Sequence, residues 1–321
     1  MKTIQSEDCN IEELRKIYPD GLHFVVGDTH CEYATLKALT EKIGFDAGKD
    51  HAYFLGDYNG GGYPGNLLKF ISAFYEADYT KPGFHLIRGN HERELGPYFP
   101  LENMPDIIVL KMKSMVYYMV HAGMVSSAFD LINEDLAARP DNSVYLYRLS
   151  DRCVAYDAPL RQIIWSRRGL YSQRSRWRQW PSQSSLYRNR AVILHGHTPY
   201  CFLMGYPSYG DNNLFWQNQH IWFSEDLQSF DIDANIKGRQ EFGENWRGIA
   251  CVCLEVVDET AGRHNDSLSV SALQNAPNAV FAAPYVPSYE DCPIGNPDSL
   301  LSTPPDMKTI SIHSDGRLSL Q

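Results

Sequence analysis

Apolar runs of four or five residues recur along the chain, and each is bounded by glycine or by polar residues. The runs are rich in β-branched and aromatic side chains, which is typical of buried β-strands. The clearest ones span residues 22–26, 52–55, 84–87, 116–120 and 191–194. Helix-like segments at residues 32–43 and 66–76 separate the first three runs. Because strands alternate with helices here, we predict a parallel sheet for this part of the chain.

A short polar cluster follows each of these predicted strands. The clusters are Gly27-Asp28-Thr29-His30, Gly56-Asp57, Gly89-Asn90-His91-Glu92, His121-Ala122-Gly123 and Gly196-His197-Thr198. In open α/β sheets, ligand-binding residues gather beyond the carboxyl ends of the strands. We therefore expect the five clusters to converge on one site.

The second half of the chain has a different pattern. A further helix is predicted over residues 126–138, and the pattern is mostly β after Asp231, with residues 248–256 as the clearest strand. Six of the eighteen prolines fall between Pro284 and Pro305, and residues 307–320 alternate as a strand does. We predict a main domain over residues 1–256 and a β-rich, proline-containing C-terminal extension over residues 257–321, packed on the core.

Composition narrows the class of protein. The 321 residues are 43% hydrophobic and 21% charged, which is ordinary for a globular enzyme. A net charge of −10 argues against general nucleic-acid binding and against a membrane-surface protein. The first residues have no apolar segment of the signal-peptide kind, and Lys111 and Lys113 interrupt the most apolar stretch. The seven cysteines lack framework spacing, so we predict reduced thiols and a cytoplasmic protein.

The clusters supply the side chains that a two-metal hydrolytic site requires. Two divalent ions about 3.5–4 Å apart clamp the attacking and leaving oxygens of a displacement at phosphorus, and the metal-bound water becomes the nucleophile. Mixed imidazole and carboxylate donors suit Mn, Fe or Zn better than Mg or Ca. The candidate ligands are Asp28, His30, Asp57, Asn90, His121 and His197. Histidine titrates near neutral pH, so His91, beside Asn90, is the candidate that protonates the departing alkoxide.

The ordered set Gly-Asp-x-His, Gly-Asp, Arg-Gly-Asn-His-Glu, Val-His-Ala-Gly and Gly-His-Thr resembles the calcineurin-like metallophosphoesterase superfamily. The match is closest to its phosphoprotein phosphatase and diadenosine tetraphosphatase branch. Ile164-Trp165-Ser166-Arg167 and the Phe230 to Asn235 segment are similar to weaker features of the bacterial members. The resemblance covers about residues 22–256, and it implies an α/β (α+β) sandwich of two mixed β-sheets packed face to face with flanking helices.

The resemblance also implies a role for each residue of the clusters. Asp28, His30 and Asp57 would bind the first metal, with Asp57 bridging, and Asn90, His121 and His197 would bind the second. His91 would protonate the leaving group, while Asn90 and Arg167 would hold phosphate oxygens. His195 competes with His197 for the last ligand position, and the family pattern favours His197. Residues 1–256 would then be the metallophosphoesterase catalytic domain.

One departure from the family pattern concerns the second cluster. The branch continues as Gly-Asp-x-Val-Asp-Arg-Gly, whereas Gly60 and Gly61 occupy the positions of the Asp that orients the catalytic histidine and of the phosphate-binding Arg. Asn59 or a residue from elsewhere is a candidate to substitute, and Arg93, Arg167 and Arg168 are spare cations. Protein serine/threonine phosphatase activity is therefore less firmly indicated than metal binding.

A basic and aromatic segment leaves the substrate open. Residues 167–190 contain seven arginines, two tryptophans and no acid. Arg174 and Arg176, together with Arg93 and Arg168, are predicted to bind substrate, and this composition suits a polyphosphate, a nucleotide base or an RNA end. Three hypotheses follow: a phosphomonoesterase acting on a phosphoprotein or small molecule, a hydrolase of dinucleoside polyphosphates or nucleic-acid ends, and a pseudophosphatase that serves as a binding module.

Overall fold

The computed structural model describes residues 11–59, 65–92, 103–113, 115–155, 158–165, 191–199, 214–216, 221–223, 229–237, 248–254, 279–284, 300 and 302–321. The α-helices are α1 (Ile11–Ile17), α2 (Tyr33–Lys42), α3 (Gly65–Phe74), α4 (Ser126–Ala137) and α5 (Gln162–Trp165). The strands are β1 (His23–Val26), β2 (His51–Phe54), β3 (Gly83–Leu86), β4 (Ile107–Lys111), β5 (Val116–Val120), β6 (Ser143–Leu149), β7 (Ala191–His195), β8 (Leu214–Trp216), β9 (Ile221–Phe223), β10 (Ser229–Asp231), β11 (Gly248–Leu254), β12 (Ala279–Pro284), β13 (Lys308–Ile312) and β14 (Leu318–Leu320). Short 3-10 helices lie at Asp151–Val154 and Pro159–Arg161.

The first sheet has the strand order β12-β11-β1-β2-β3. Its β1, β2 and β3 run parallel, as the alternation of strands and helices predicts. On the other side of β1, β11 is antiparallel and pairs Cys251 with Val26. Since β12 is antiparallel to β11, the sheet is mixed. The loops after β1, β2 and β3 therefore leave the sheet at one edge.

The second sheet has the order β14-β13-β6-β4-β5-β7-β10-β9-β8. Here β5, β7 and β10 are parallel, and β13 is parallel to β6. The strands β4, β8, β9 and β14 are antiparallel to their neighbours. The loops after β5 and β7 consequently emerge side by side.

Side chains that alternate along the strands sort the core into three layers. Phe24 and Val26 pack against the helices α1, α2 and α3, whereas Val25 points to the opposite face and packs between the two sheets. A third cluster joins the outer face of the second sheet to α4 through Phe129 and Ile132. The result is a sandwich of helices, sheet, sheet and helix, which confirms the predicted fold class.

The end of α2 shows how local sequence sets an element boundary. Gly44 has φ +57, its amide donates to the carbonyl of Glu41 at 3.0 Å, and the amide of Phe45 donates to the carbonyl of Thr40 at 3.0 Å. These two bonds form a Schellman motif, which requires a left-handed residue that glycine adopts without strain. Phe45 then packs against the core cluster that lies between the first sheet and the helices, here called the helix-side core, and β2 begins after a short loop, at His51.

The predicted strands and helices are found close to their predicted positions. The five apolar runs overlap β1, β2, β3, β5 and β7 to within one residue at each end, and the three predicted helices overlap α2, α3 and α4. Strands from residues 257–321 join both sheets, because β12 pairs with β11 and β13 pairs with β6. The domain boundary at residue 256 stays a prediction. No helix among the described residues has both the length and the apolar composition of a membrane span.

Three histidines form a stack on neighbouring strands of the first sheet, here called the histidine stack: His23, His51 and His85. The rings of His23 and His51 are parallel with centroids 4.4 Å apart, and Nδ1 of His51 lies 3.1 Å from Nε2 of His85. Burial lowers the pKa of His51 to about 4 and that of His85 to about 3. His23 and His51 begin their strands, so this stack lies away from the loops that follow the carboxyl ends.

Candidate metal centre

The five polar clusters meet at one edge of the sandwich. Three of them follow β1, β2 and β3 of the first sheet, and two follow β5 and β7 of the second sheet. A bond between clusters of different sheets is made by Asp28, whose carboxylate accepts the backbone amide of His197 at 3.1 and 3.2 Å. The site is thus built where the carboxyl ends of strands from both sheets converge, as the sequence predicts.

The first group of donors surrounds His30. Its Nε2 lies 3.6 Å from Oδ2 of Asp28 and 3.8 Å from Oδ2 of Asp57. Its Nδ1 lies 3.0 Å from the carbonyl oxygen of Asn59, which can only accept a proton, so Nδ1 carries the hydrogen. The lone pair of Nε2 is thereby directed between two carboxylates, as a metal ligand requires.

The second group surrounds His121 in the same manner. Its Nδ1 donates to the carbonyl of Leu55 at 2.6 Å. Its Nε2 lies 2.9 Å from Oδ1 of Asn90 and 3.3 Å from Oδ1 of Asp57. The ring of His197 lies edge-on, with its centroid 5.0 Å from that of His121. Again one ring nitrogen is fixed by backbone and the other faces oxygen donors.

Asp57 belongs to both groups. Ligand atoms of His30, Asp57 and His91 lie within 4.8 Å of one another, and so do those of Asp57, His121 and His197. Asp57 is 2% exposed and has φ +56, a left-handed conformation that non-glycine residues adopt at a cost. The strained backbone aims one carboxylate at two sets of imidazoles.

Glu92 holds the loop that carries Asp57. Its Oε2 accepts the backbone amides of Asp57 at 2.9 Å and Gly89 at 2.7 Å, and its Oε1 accepts those of Tyr58 at 2.7 Å and Asn59 at 3.4 Å. The side chain is fully buried. Four backbone donors bind this one carboxylate, and hydrogen bonds to a charged acceptor are strong. Glu92 therefore ties the loop of the second cluster to the third cluster.

Two glycines allow the loops to approach closely. A Cβ at Gly196 would overlap the Asp28 carboxylate, and a Cβ at Gly89 would overlap both Asp57 and the Glu92 carboxylate. Any larger residue would push a carboxylate away from its neighbours. The glycines of these clusters are therefore part of the ligand geometry.

The electrostatics of the cluster favour cations. Burial lowers the pKa of His30, but the hydrogen bond to Asp28 and the charge of Asp57 raise it more, to about 9. Burial also lowers the pKa of His121, and the charge of Asp57 together with its hydrogen bond raises it to about 10. Burial raises the pKa of Asp57, and the charge of His121 lowers it well below its ordinary value. Carboxylates that stabilise positive charge on buried imidazoles this strongly fit a site for divalent ions.

The predicted general acid, His91, lies at the mouth of the site. Its side chain is 18% exposed, whereas those of His30 and His121 are 7% and 0% exposed. Its backbone amide donates to Oδ1 of Asp57 at 2.9 Å, and its Nε2 lies 3.9 Å from Oδ2 of Asp57. Nζ of Lys237 lies 3.4 Å from the same Nε2. His91 is thus the most exposed imidazole of the cluster.

The alternative ligand His195 is not among the candidate metal ligands, and the predicted binding arginines lie outside the described residues. His195, the alternative to His197, is fully buried with Nδ1 3.9 Å from Asp231, and burial lowers its pKa to about 4. It lies outside both groups of candidate metal ligands, which include His197. The remaining predicted binding residues fall outside the described residues: Arg93, Arg167, Arg168, Arg174 and Arg176, as do Gly60 and Gly61.

Several residues near the site were not given a role from the sequence. Two of them are Glu92, which binds the backbone of the Asp57 loop, and Lys237, which contacts His91. Burial and the charge of Asp28 raise the pKa of the Asp233 carboxyl to about 8, so a further buried acid faces the first group. Trp165 lies edge-on to His197 with ring centroids 6.4 Å apart. The late segment and the Ile-Trp-Ser-Arg segment signalled Asp233 and Trp165, but only the folded chain gives them neighbours.

Several solved structures and one protein family are similar to this chain. A search of curated proteins finds no match. A protein serine/threonine phosphatase from Saccharomyces cerevisiae is 15% identical, with a TM-score of 0.46 over 86% of this chain and 84% of that one. A protein described as a diadenosine tetraphosphatase is 13% identical, with a TM-score of 0.41 over 84% and 96%. A cold-active protein-tyrosine phosphatase from a Shewanella species is 18% identical, with a TM-score of 0.41 over 73% and 77%. The family model for calcineurin-like phosphoesterases matches residues 24–236.

Proposed function

Because the chain belongs to the calcineurin-like phosphoesterase family, we propose that it is a two-metal phosphoesterase that hydrolyses phosphomonoesters. The observation that supports this most directly is the sharing of Asp57 between two groups of candidate ligands. A bridging carboxylate of this kind is what a dinuclear centre requires. The substrate would be a phosphoprotein or a small phosphorylated molecule.

The described residues fit two divalent ions of the Mn, Fe or Zn type, since imidazole and carboxylate donors predominate. Three residues would hold the first ion: Asp28, His30 and Asp57. Asp57 would also contact the second ion, together with Asn90, His121 and His197. Such a pair of ions supplies Lewis acidity that activates water and neutralises charge on the phosphoryl oxygens.

The protein groups would orient the metal ligands and protonate the departing alkoxide. The carbonyls of Asn59 and Leu55 fix the tautomers of His30 and His121, so that Nε2 of each ring would be free to hold an ion. Glu92 keeps Asp57 in its strained position between the two groups of candidate ligands, from which it would bridge the ions. His91, partly exposed at the mouth, would donate a proton to the departing alkoxide, and a general acid contributes about 10²–10⁴-fold to the rate.

The proposal is tested with protein loaded with Mn²⁺ and an aryl phosphate monoester as substrate. We expect Asp57→Asn to lose bound metal and activity together. We expect His91→Ala to keep two ions per chain but to lose about 10²–10⁴-fold in kcat. The exposed residues Asp20 and His313 offer matched controls, as Asp20→Asn and His313→Ala.

Two results would contradict this assignment. If protein that holds two ions hydrolyses neither a phosphomonoester nor diadenosine tetraphosphate, the pseudophosphatase hypothesis stands instead. If His91→Ala loses an ion, His91 is a ligand, as its place in one of the groups allows, and another residue protonates the leaving group.

The basic segment at residues 167–190 supports a second candidate, a hydrolase of dinucleoside polyphosphates or nucleic-acid ends. Its seven arginines and two tryptophans suit several phosphates and a base. A preference of at least about tenfold in kcat/KM for diadenosine tetraphosphate over an aryl phosphate would favour it. Replacing Arg174 and Arg176 by Gln would then abolish the preference and leave aryl phosphate hydrolysis unchanged.

We also propose that the protein acts in the cytoplasm. The buried residues Cys153 and Cys251 are thiols rather than parts of disulfides. Buried thiols in a phosphatase core suit a reducing compartment.

A further inference from the structure

Lys237 stands beside the predicted general acid although the two residues are distant in sequence. It follows β10, which runs parallel to β7, so its loop leaves the sheet at the same edge as the His197 loop. The amide of Ile232 donates to the carbonyl of His195 at 2.8 Å, which ties this loop to the end of β7. Lys237 is thereby delivered to the metal-binding edge.

Side-chain hydrogen bonds and burial hold the backbone that precedes Lys237. The amide of Asp233 donates to the side chain of Asp231 at 3.1 Å, and the amide of Asn235 donates to the side chain of Asp233 at 2.9 Å. Ile236 is fully buried in the helix-side core, and Lys237 is the first exposed residue after it. The lysine side chain therefore leaves from a fixed point and reaches over the mouth of the site.

The contact of Lys237 joins two nitrogen groups. Its Nζ lies 3.4 Å from Nε2 of His91. The ammonium can donate one N–H to Nε2 of a neutral His91 and keeps two further N–H groups, while an ammonium and a protonated imidazole can both donate to one anionic oxygen. Two donors that converge at the open side of a cation-binding cluster form a place for an oxyanion, and lysine binds phosphate as a compact point charge.

We infer that Lys237 binds a non-bridging oxygen of the substrate phosphoryl group, next to the proton that His91 donates; this rests on the proposed function. In phosphoryl transfer, charge is spread over three equatorial oxygens, so a cation at that point stabilises the transition state. The family pattern places an arginine for this purpose in the second cluster, where this chain has Gly61. Arg88, which directly precedes the third cluster, donates two hydrogen bonds of 2.7 Å to Asp106 in a buried ion pair. Lys237 supplies a positive charge from another strand.

The test compares wild-type protein with Lys237→Met, Lys237→Arg and the control Lys49→Met, all loaded with Mn²⁺. Lys49 is an exposed lysine just before β2, at the opposite end of the parallel strands. We measure metal content, kcat and KM for an aryl phosphate, and the dissociation constant of inorganic phosphate by calorimetry. The loss of one charge-assisted bond predicts that Lys237→Met weakens phosphate binding and lowers kcat/KM by about 10- to 100-fold, with two ions retained. Lys237→Arg recovers most of both quantities, and Lys49→Met matches wild type.

The outcomes separate this inference from the proposed function. If wild type hydrolyses the ester and Lys237→Met equals it in phosphate affinity and kcat/KM, the inference is wrong and the function stands. If wild type hydrolyses no ester but its phosphate affinity depends on Lys237, the function is wrong and the binding site stands. Loss of metal in Lys237→Met, or no phosphate binding by wild type, overturns the inference.

Discussion

Replacing Glu92 by Gln tests whether one buried carboxylate organises the metal-binding edge. The substitution keeps the shape of the side chain and changes one oxygen into an NH₂ group. That group donates hydrogen bonds and cannot accept them. Since all four neighbours of the carboxylate are backbone donors, the amide must turn its NH₂ toward two of them.

The expected loss of stability follows from the distances. The best orientation keeps the remaining oxygen on the amides of Asp57 and Gly89, at 2.9 and 2.7 Å. The NH₂ then faces the amides of Tyr58 and Asn59, whose bonds are 2.7 and 3.4 Å. One strong and one weak bond are lost, and a bond to a charged acceptor contributes about 1.5–3 kcal/mol. We expect the free energy of unfolding to fall by about 2–4 kcal/mol.

The assay is urea denaturation of metal-free protein, because bound metal would add its own stabilisation. Burial and the charge of Asp57 raise the pKa of Glu92 to about 7, so the assay is run at about pH 8.5, where this carboxyl is ionised. A calorimetric titration with Mn²⁺ on the same samples reports the site itself. We expect Glu92→Gln to bind Mn²⁺ about 10- to 100-fold more weakly, as loss of a residue that orients a ligand does. Glu41 is exposed on α2, and Glu41→Gln is the matched control, with a change within about 0.5 kcal/mol. A Glu92→Gln protein as stable as this control, with unaltered Mn²⁺ affinity, would refute the reasoning.

Three further predictions concern other parts of the fold. Gly196→Ala places a methyl group on the Asp28 carboxylate, so we expect fewer than two ions per chain by mass spectrometry; full occupancy would contradict the close approach. The pKa of His51 is about 4 in the folded protein and about 6.5 in an unfolded chain, so the unfolded state binds more protons between these values. The free energy of unfolding should therefore fall as pH decreases from about 6.5 to about 4, less steeply in His51→Gln, and equal slopes in urea titrations would refute this. Arg88→Met leaves Asp106 buried without its partner, and we expect a loss of about 3–5 kcal/mol; an unchanged urea midpoint would exclude a role for this ion pair.

The sequence was sufficient to predict the elements that carry the ligands, for an identifiable reason. Each apolar run ends at a glycine or a polar residue with a strong turn preference, and the candidate ligand follows at once. Parallel strands then bring those turns to one edge, as the bond from His197 to Asp28 shows. Convergence of this kind needs only the strand pattern and the chain direction.

The remaining features depend on partners that no local pattern reveals. Glu92 reaches the amides of a loop more than thirty residues earlier, and Lys237 meets His91 across 146 residues. The pairing of β13 with β6 joins the proline-containing extension to the second sheet. Neither hydrophobic periodicity nor turn preference encodes such distant contacts. The family pattern favours His197 over His195, and of these two residues His197 is the one that lies in a group of candidate metal ligands.

The position of β1 inside the first sheet has a consequence for synthesis on the ribosome. One neighbour, β2, is nearby in the chain, but the other, β11, is translated only after most of the sequence has emerged. Until then the strand that leads to Asp28 keeps an open edge, which exposes a nascent chain to incorrect strand association. Refolding from denaturant should be slow, as in topologies dominated by distant pairings, and the neighbourhood of Asp28 would mature no earlier than the docking of β11.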